Sequence, residues 1–205
     1  MAEPHKSRVY SDFARYYDSV FGRVFIDREH EIIGDLNLRP DQNVLEVGVG
    51  TGISLDAYPA YTHVIAIDPS ADMLKIAERK IAEQGLTHVE VRQGDALNLE
   101  FPDNTFDFVT SFHVMTVVPD PVRMMAEMIR VCKVGGRIVV ETHFQSDNPI
   151  VALLNNLVNP ITRLIGWTTR VRKSDVLRGH KIELEHNART SQFSVHTLII
   201  ARKLA

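Results

Sequence analysis

The chain has 205 residues, 44% of them hydrophobic and 24% charged, with a formal net charge of -3; that balance supports one sizeable core and excludes a disordered polar chain. No run reaches the roughly 18 uninterrupted apolar residues of a membrane span, Met1 to Lys6 lack a signal-type apolar stretch, and the single cysteine, Cys132, precludes an internal disulfide. The expectation is one cytoplasmic domain covering 1–205, with no metal site and no nucleic-acid partner.

The first predicted element is a helical segment over about 8–36. Tyr10, Phe13, Tyr16, Tyr17, Val20, Phe21, Val24 and Phe25 recur there at helical spacing, with Arg8, Arg15, Arg23 and Arg28 among them. Such an aromatic, basic amphipathic face either covers a ligand pocket or lies in a membrane interface. Strands follow near 43–47, 63–67, 88–92, 106–112, 137–142, 181–187 and 193–201, with helices between them. One helix covers 70–84, with Met73, Ile76, Ala77 and Ile81 on one face and Gly85 as its stop. Another covers Val122 to Cys132 and carries the cysteine as a small core residue. Gly135-Gly136 then turns the chain into a strand from Arg137 to Glu141. This alternation predicts an α/β, Rossmann-like, seven-stranded and mostly parallel sheet with helices on both faces.

An insert at 147–180 separates the fifth and sixth strands. Its apolar residues, from Ile150 to Trp167, are broken by Asn155, Asn156, Asn159 and Pro160, so it is too interrupted to span a bilayer but can dip into one. Arg163, Arg170, Arg172, Lys173, Arg178 and Lys181 follow, opposed within that stretch by Asp175 alone. In a chain of net negative charge this is a local basic patch, either a solvated face or a match for an anionic leaflet.

The residues that carry chemistry begin at the first strand. Val44 to Val47 run into Gly48, Gly50 and Gly52, where alternate glycines let the backbone turn tightly and approach a ligand. Twenty residues beyond Gly48, the strand Val64 to Ile67 ends in Asp68, a carboxylate able to accept both hydroxyls of a ribose. Position 53 is Ile where the dinucleotide fingerprint has its third glycine, and Glu46 points a negative charge at the place of a pyrophosphate. A nucleoside that is cationic and carries no phosphate suits these residues, and S-adenosylmethionine is such a compound; NAD is the alternative.

With these motifs the chain resembles the class I S-adenosylmethionine-dependent methyltransferases. The resemblance implies further cofactor contacts from Tyr17, from Pro69, Ser70 and Met73 after the ribose acid, from Gly94-Asp95-Ala96 at the adenine amine, and from Ser111 and Phe112 beside the reacting methyl. Asp95 can alternatively cap the following turn. In relatives the motif here written Phe13 to Asp18 closes over the methionine end of the cofactor, and Val117 stands where many carry a second histidine.

The aromatic N-terminus and the apolar, basic insert extend the resemblance to the small bacterial phospholipid N-methyltransferases. Those enzymes methylate the amine of phosphatidylethanolamine up to three times at the cytoplasmic membrane surface. That resemblance implies a phospholipid substrate and an anionic membrane surface as partners. An ammonium must lose a proton before it can react, and Tyr16, His113 and His143 are the catalytic candidates. Arg178, His180 and Arg189 are candidates for the lipid phosphate; Arg189 can equally be a surface charge and His143 a structural histidine. A soluble methyltransferase for a quinone or another small aromatic, and a non-catalytic cofactor-binding scaffold, remain the competing readings.

Overall fold

The computed structural model describes residues 22–145, 171–189 and 196–205, with side chains described from Asp27 onward and not at Arg189. Tyr16, Tyr17 and most of the 147–180 insert lie outside the described residues. Seven strands form one sheet in the order β3-β2-β1-β4-β5-β7-β6. The chain divides into two compact units, Met1–Asp95 and Ala96–Ala205.

In the first unit, helix α1 (Gly22–Asp35) stands within the expected N-terminal helical segment. Ile32 and Ile33 on it, and Leu36 and Leu38 just after it, are buried. Asn37, in the left-handed region at φ +52°, ends it, a position that Asn tolerates. Strand β1 (Asn43–Val47) is buried from Val44 to Val47, the continuous pattern of a parallel strand covered on both faces. It pairs in parallel with β2 (His63–Asp68), Val47 opposite Ile67, and β2 pairs in parallel with β3 (Val89–Gln93), Asp68 opposite Gln93. Helix α2 (Ala71–Gln84) is bounded as the sequence indicates. Ser70 caps it by accepting from the Met73 N–H at 3.3 Å, and Gly85, at φ +67°, donates its N–H to Ile81 O. Its buried residues are Leu74 and Ala77; Met73, Ile76 and Ile81 are half-buried. The core stripe therefore runs along one edge of the expected face.

In the second unit, β4 (Phe106–Phe112) is followed by α3 (Pro121–Val131), which starts at an Asp120 cap with Pro121 in the first turn and buries Met124, Met125, Met128, Ile129 and Val131. Strand β5 spans Cys132–His143, a longer strand than expected. The pair Gly135-Gly136 does not turn the chain into a strand but lies within it, at a bulge where pairing passes from Phe106↔Cys132 to Phe108↔Arg137. A Cβ at Gly136 would stand 2.8 Å from the Asp107 carbonyl oxygen, so only glycine lets the bulged strand lie that close. Cys132 is likewise not on the helix: it is the C-cap of α3 and the first residue of β5. It is fully buried, and burial pushes its thiol up to about 12, which leaves it inert.

Strand β5 pairs in parallel with β4 and antiparallel with β7 (His196–Lys203). Strand β6 (Ile182–Arg189) closes the edge antiparallel to β7. The described residues enter and leave the insert side by side, since the Gln145 N–H donates to Val171 O at 2.7 Å. Helix α4 (Lys173–Leu177) then packs on α3.

Candidate functional site

The first unit brings the glycine loop and the acid of β2 together as expected. The N–H groups of Gly48 and Val49 donate to Ile67 O at 2.8 and 3.0 Å, tying the loop to the end of β2. Two of the glycines have different reasons. Gly50 sits at φ +54° with nothing within 4 Å of the place a Cβ would take, so its open side is room for a ligand. Gly52, at φ +73°, would put a Cβ 2.7 Å from Leu55 Cδ1 and 3.0 Å from Ala77 Cβ; there the missing side chain lets α2 pack against the loop.

Asp68 carries one backbone donor on each oxygen, Ser70 N–H at 2.8 Å and Gly50 N–H at 3.0 Å. Burial raises its pKa, and the two N–H bonds hold it down. A carboxylate offers about four acceptor directions, so the half-buried Asp68 keeps capacity for a vicinal diol. Pro69 is exposed, its carbonyl accepting from Gln93 Nε2 at 2.9 Å. Gly94 donates its N–H to Asp68 O at 3.2 Å and lies against Ile67, while Asp95 after it is exposed.

Glu46 is 3% exposed, and both of its oxygens are engaged within the protein. Ser54 Oγ donates to one at 2.6 Å and the Tyr58 hydroxyl to the other at 2.8 Å. Burial outweighs these two donors and lifts the carboxyl to about 7. Glu46 thus braces the loop that follows the glycines, and its charge at neutral pH is partial. A cationic ligand nearby would increase it. Ser54 and Tyr58 carry no sequence signal because nothing in their spacing marks them; they meet Glu46 through the turn at Leu55–Ala57. His30 of α1 is a further unexpected tie, with Nε2 2.9 Å from Asp56 Oδ1 and 3.2 Å from Ile53 O.

These residues fit S-adenosylmethionine. The open side of Gly50 admits the nucleoside, Asp68 can take the ribose hydroxyls, and Glu46 supplies negative potential. The loop from Glu46 to Tyr58 contains no Lys or Arg to hold a phosphate.

The second unit supplies a different chemistry. Ala96 is buried at its start, and Ser111 and Phe112 are buried at the end of β4. His113 follows in the left-handed region, at φ +62°, a conformation uncommon for a non-glycine residue. Its N–H donates to Glu141 O at 2.7 Å, and its Nε2 lies 3.8 Å from Glu141 Oε2. The His113 and His196 rings meet edge to face with centroids 4.9 Å apart, and His143 faces His196 at 6.3 Å. Burial, then the neighbouring His196, pushes His113 down to about 3; burial, then His143, lowers His196. Both imidazoles are therefore neutral near pH 7. The expected residues His113 and His143 share a cluster, which Glu141 and His196 complete without being singled out by the sequence. Glu141 and His143, two apart on β5, signal a common face. The register His143↔His196 depends on pairing that no local pattern reveals.

Of the lipid-phosphate candidates, the side chains of Arg178 and His180 are described and that of Arg189 is not. Arg178 is exposed on the turn after α4, 3.9 Å from Asp175, and His180 is half-buried ahead of β6. Arg189 is the last residue of β6, opposite Thr197, rather than a turn residue. Of the basic patch, Arg172 Nε donates to Gln145 at 3.1 Å and Lys173 Nζ to Asn187 at 3.1 Å, while Arg163 and Arg170 lie outside the described residues.

The chain is similar to known proteins in sequence and in fold. A family model described as a methyltransferase domain matches residues 45–140. The chain is 41% identical over 162 residues to a phosphatidylethanolamine N-methyltransferase of Cereibacter sphaeroides, covering 78% of this chain and 79% of that one. It is 34% identical over 161 residues to a demethylmenaquinone methyltransferase of Halalkalibacterium halodurans, covering 73% of this chain and 66% of that protein's length. The fold matches the crystal structure of a putative methyltransferase from Bacillus halodurans C-125 with a TM-score of 0.75 at 22% identity, covering 88% of this chain and 99% of that one. With 41% identity over most of both chains to one methyltransferase and a methyltransferase-domain match that begins in β1 and takes in the glycine loop, the chain belongs to the S-adenosylmethionine-dependent methyltransferases.

Proposed function

We propose that this enzyme methylates the amine of phosphatidylethanolamine and of its mono- and dimethyl derivatives, leading to phosphatidylcholine. The observation that carries the reading is the 41% identity, over most of both chains, to a protein of that activity. The exposed Arg172, Arg178 and Lys181, together with the apolar stretch before them in sequence, support work at an anionic membrane surface. Among the described residues no helix is long and apolar enough to cross a membrane. The enzyme on this reading is held peripherally at the cytoplasmic face of the inner membrane.

When bound, S-adenosylmethionine supplies an electrophilic methyl group. The chain's own task is to hold the acceptor in line, keep water out and remove a proton, because an amine with a pKa near that of lysine, about 10.4, has no lone pair while protonated. The neutral His113 is a candidate acceptor of that proton in the second unit, and His143 and Tyr16 are the remaining candidates. A neutral His113 ring does not repel a cationic headgroup, so it tolerates successive methylations. Arg178, His180 and Arg189 are the donors proposed for the phosphodiester.

Methylation of a quinone or another small aromatic is the second reading, favoured by the similarity to demethylmenaquinone methyltransferases. Labelled methyl transfer onto phosphatidylethanolamine vesicles and onto quinol acceptors separates the two. Label in the lipid amine alone supports the first; label in the quinol alone overturns it.

A further inference from the structure

The cluster at the ends of β4, β5 and β7 holds a buried carboxylate that the proposed chemistry leaves unused. Glu141 is 1% exposed, whereas the His113 side chain in front of it is 18% exposed. The ring can thus meet a ligand, with the carboxylate buried behind it. Two further constraints keep His113 in place: its backbone bond to Glu141 O at 2.7 Å and the edge of His196 against its ring at 4.9 Å. Its left-handed backbone is a strained state that persists only where the surroundings over-determine it, a pattern that concentrates at functional sites.

We propose that His113 and Glu141 form a proton-accepting pair for the acceptor amine, His113 taking the proton and Glu141 serving as the positioning residue that holds the ring and stabilises its charged form. This rests on the reading that the acceptor is an amine. In the step, an N–H bond of the ammonium breaks, its electron pair stays on the amine nitrogen, and the proton forms an N–H bond with the imidazole. The single positive charge moves from substrate to ring, and the imidazolium returns its proton to water before the next round.

Glu141 is needed because the buried ring alone is a poor base, its proton affinity pushed down by burial and by His196. The Glu141 carboxyl, 3.8 Å from the ring nitrogen, is placed to favour the imidazolium, since an opposite charge at that range stabilises the charged form of a neighbouring group. The titratable groups facing His113 among the described residues are Glu141 from β5 and His196 from β7, with His143 beyond His196.

The test is labelled methyl transfer onto phosphatidylethanolamine vesicles by the full chain, from about pH 7 to about pH 10, for wild type, Glu141→Gln, Glu141→Asp and His113→Asn. Near pH 7, Glu141→Gln is expected to lose about 100-fold in kcat, with both KM values within about twofold. Its rate should climb about tenfold per pH unit toward the pKa of the amine itself, where solvent removes the proton, and Glu141→Asp should restore part of the loss at neutral pH. A Glu141→Gln enzyme with unchanged kcat, or a loss that alkaline pH does not repair, overturns the pair. If calorimetry shows that Glu141→Gln no longer binds the cofactor, His113→Asn replaces it: a neutral-pH loss repaired at alkaline pH supports the pair, and an unchanged kcat or an unrepaired loss overturns it. A wild type that labels quinol but not the lipid amine overturns the amine reading and the pair with it. A wild type active on the lipid beside an unaffected variant overturns the pair alone.

Discussion

Glu46 links the cofactor loop to pH, and Glu46→Gln isolates the effect. The carboxyl, ordinarily at 4.5, stands at about 7 in the fold because burial opposes its ionisation more than Ser54 and Tyr58 favour it. A folded-state value above the unfolded one means that the native state binds the proton more tightly. The resulting stability is full below about pH 4.5 and is lost as pH rises through about 7. At about 1.4 kcal/mol per pH unit between the two values, the loss is about 3 kcal/mol. The amide of Gln fills the same space and can bond both hydroxyls but does not titrate, so the difference between wild type and variant cancels every other ionising group. Urea unfolding at intervals from about pH 4.5 to about pH 8.5 measures it. Relative to the variant, wild type should lose about 3 kcal/mol across that range; two curves that stay parallel would show that Glu46 is not the buried, proton-holding group described.

Further substitutions separate the parts of the site. Gly50→Val places a branched side chain in the open space beside the loop and should abolish cofactor affinity in calorimetry while the far-UV spectrum stays native; retained affinity refutes the cradle. Gly52→Ala should lower stability by about 1–3 kcal/mol, because its Cβ would press on Leu55 and Ala77 at 2.7 and 3.0 Å; an unchanged Tm would mean the loop yields freely. Replacing Arg172, Arg178 and Lys181 with Gln should weaken sedimentation with anionic vesicles, at roughly 1 kcal/mol per charge near the surface. Wild type and variant should converge as salt rises, and identical binding at low salt removes the basic patch from membrane attachment.

The strand β1, the glycines, Asp68 at the end of β2 and the Gly85 stop are legible because they are local. Strand patterning, glycine spacing and a glycine at a helix end are each fixed by neighbours in sequence. The bulge at Gly135-Gly136 reads as a turn in sequence because a glycine pair signals a break in regular backbone without saying whether the sheet resumes pairing across it. Glu46 is marked in the sequence by its place two residues before the first glycine. Its actual partners, Ser54 and Tyr58, depend on how the intervening turn folds back.

By itself the sequence determined the order of strands and helices and the cofactor class, since each rests on short-range periodicity and on residue types a few positions apart. Only the tertiary structure decided which side chains share a buried environment. His196 joins His143 through antiparallel pairing across the sheet, and Glu141 reaches His113 because parallel strands set Phe112 beside it. Burial then moves Glu46 up and His113 down. Those shifts come from desolvation, a property of the packed surroundings that residue spacing does not encode.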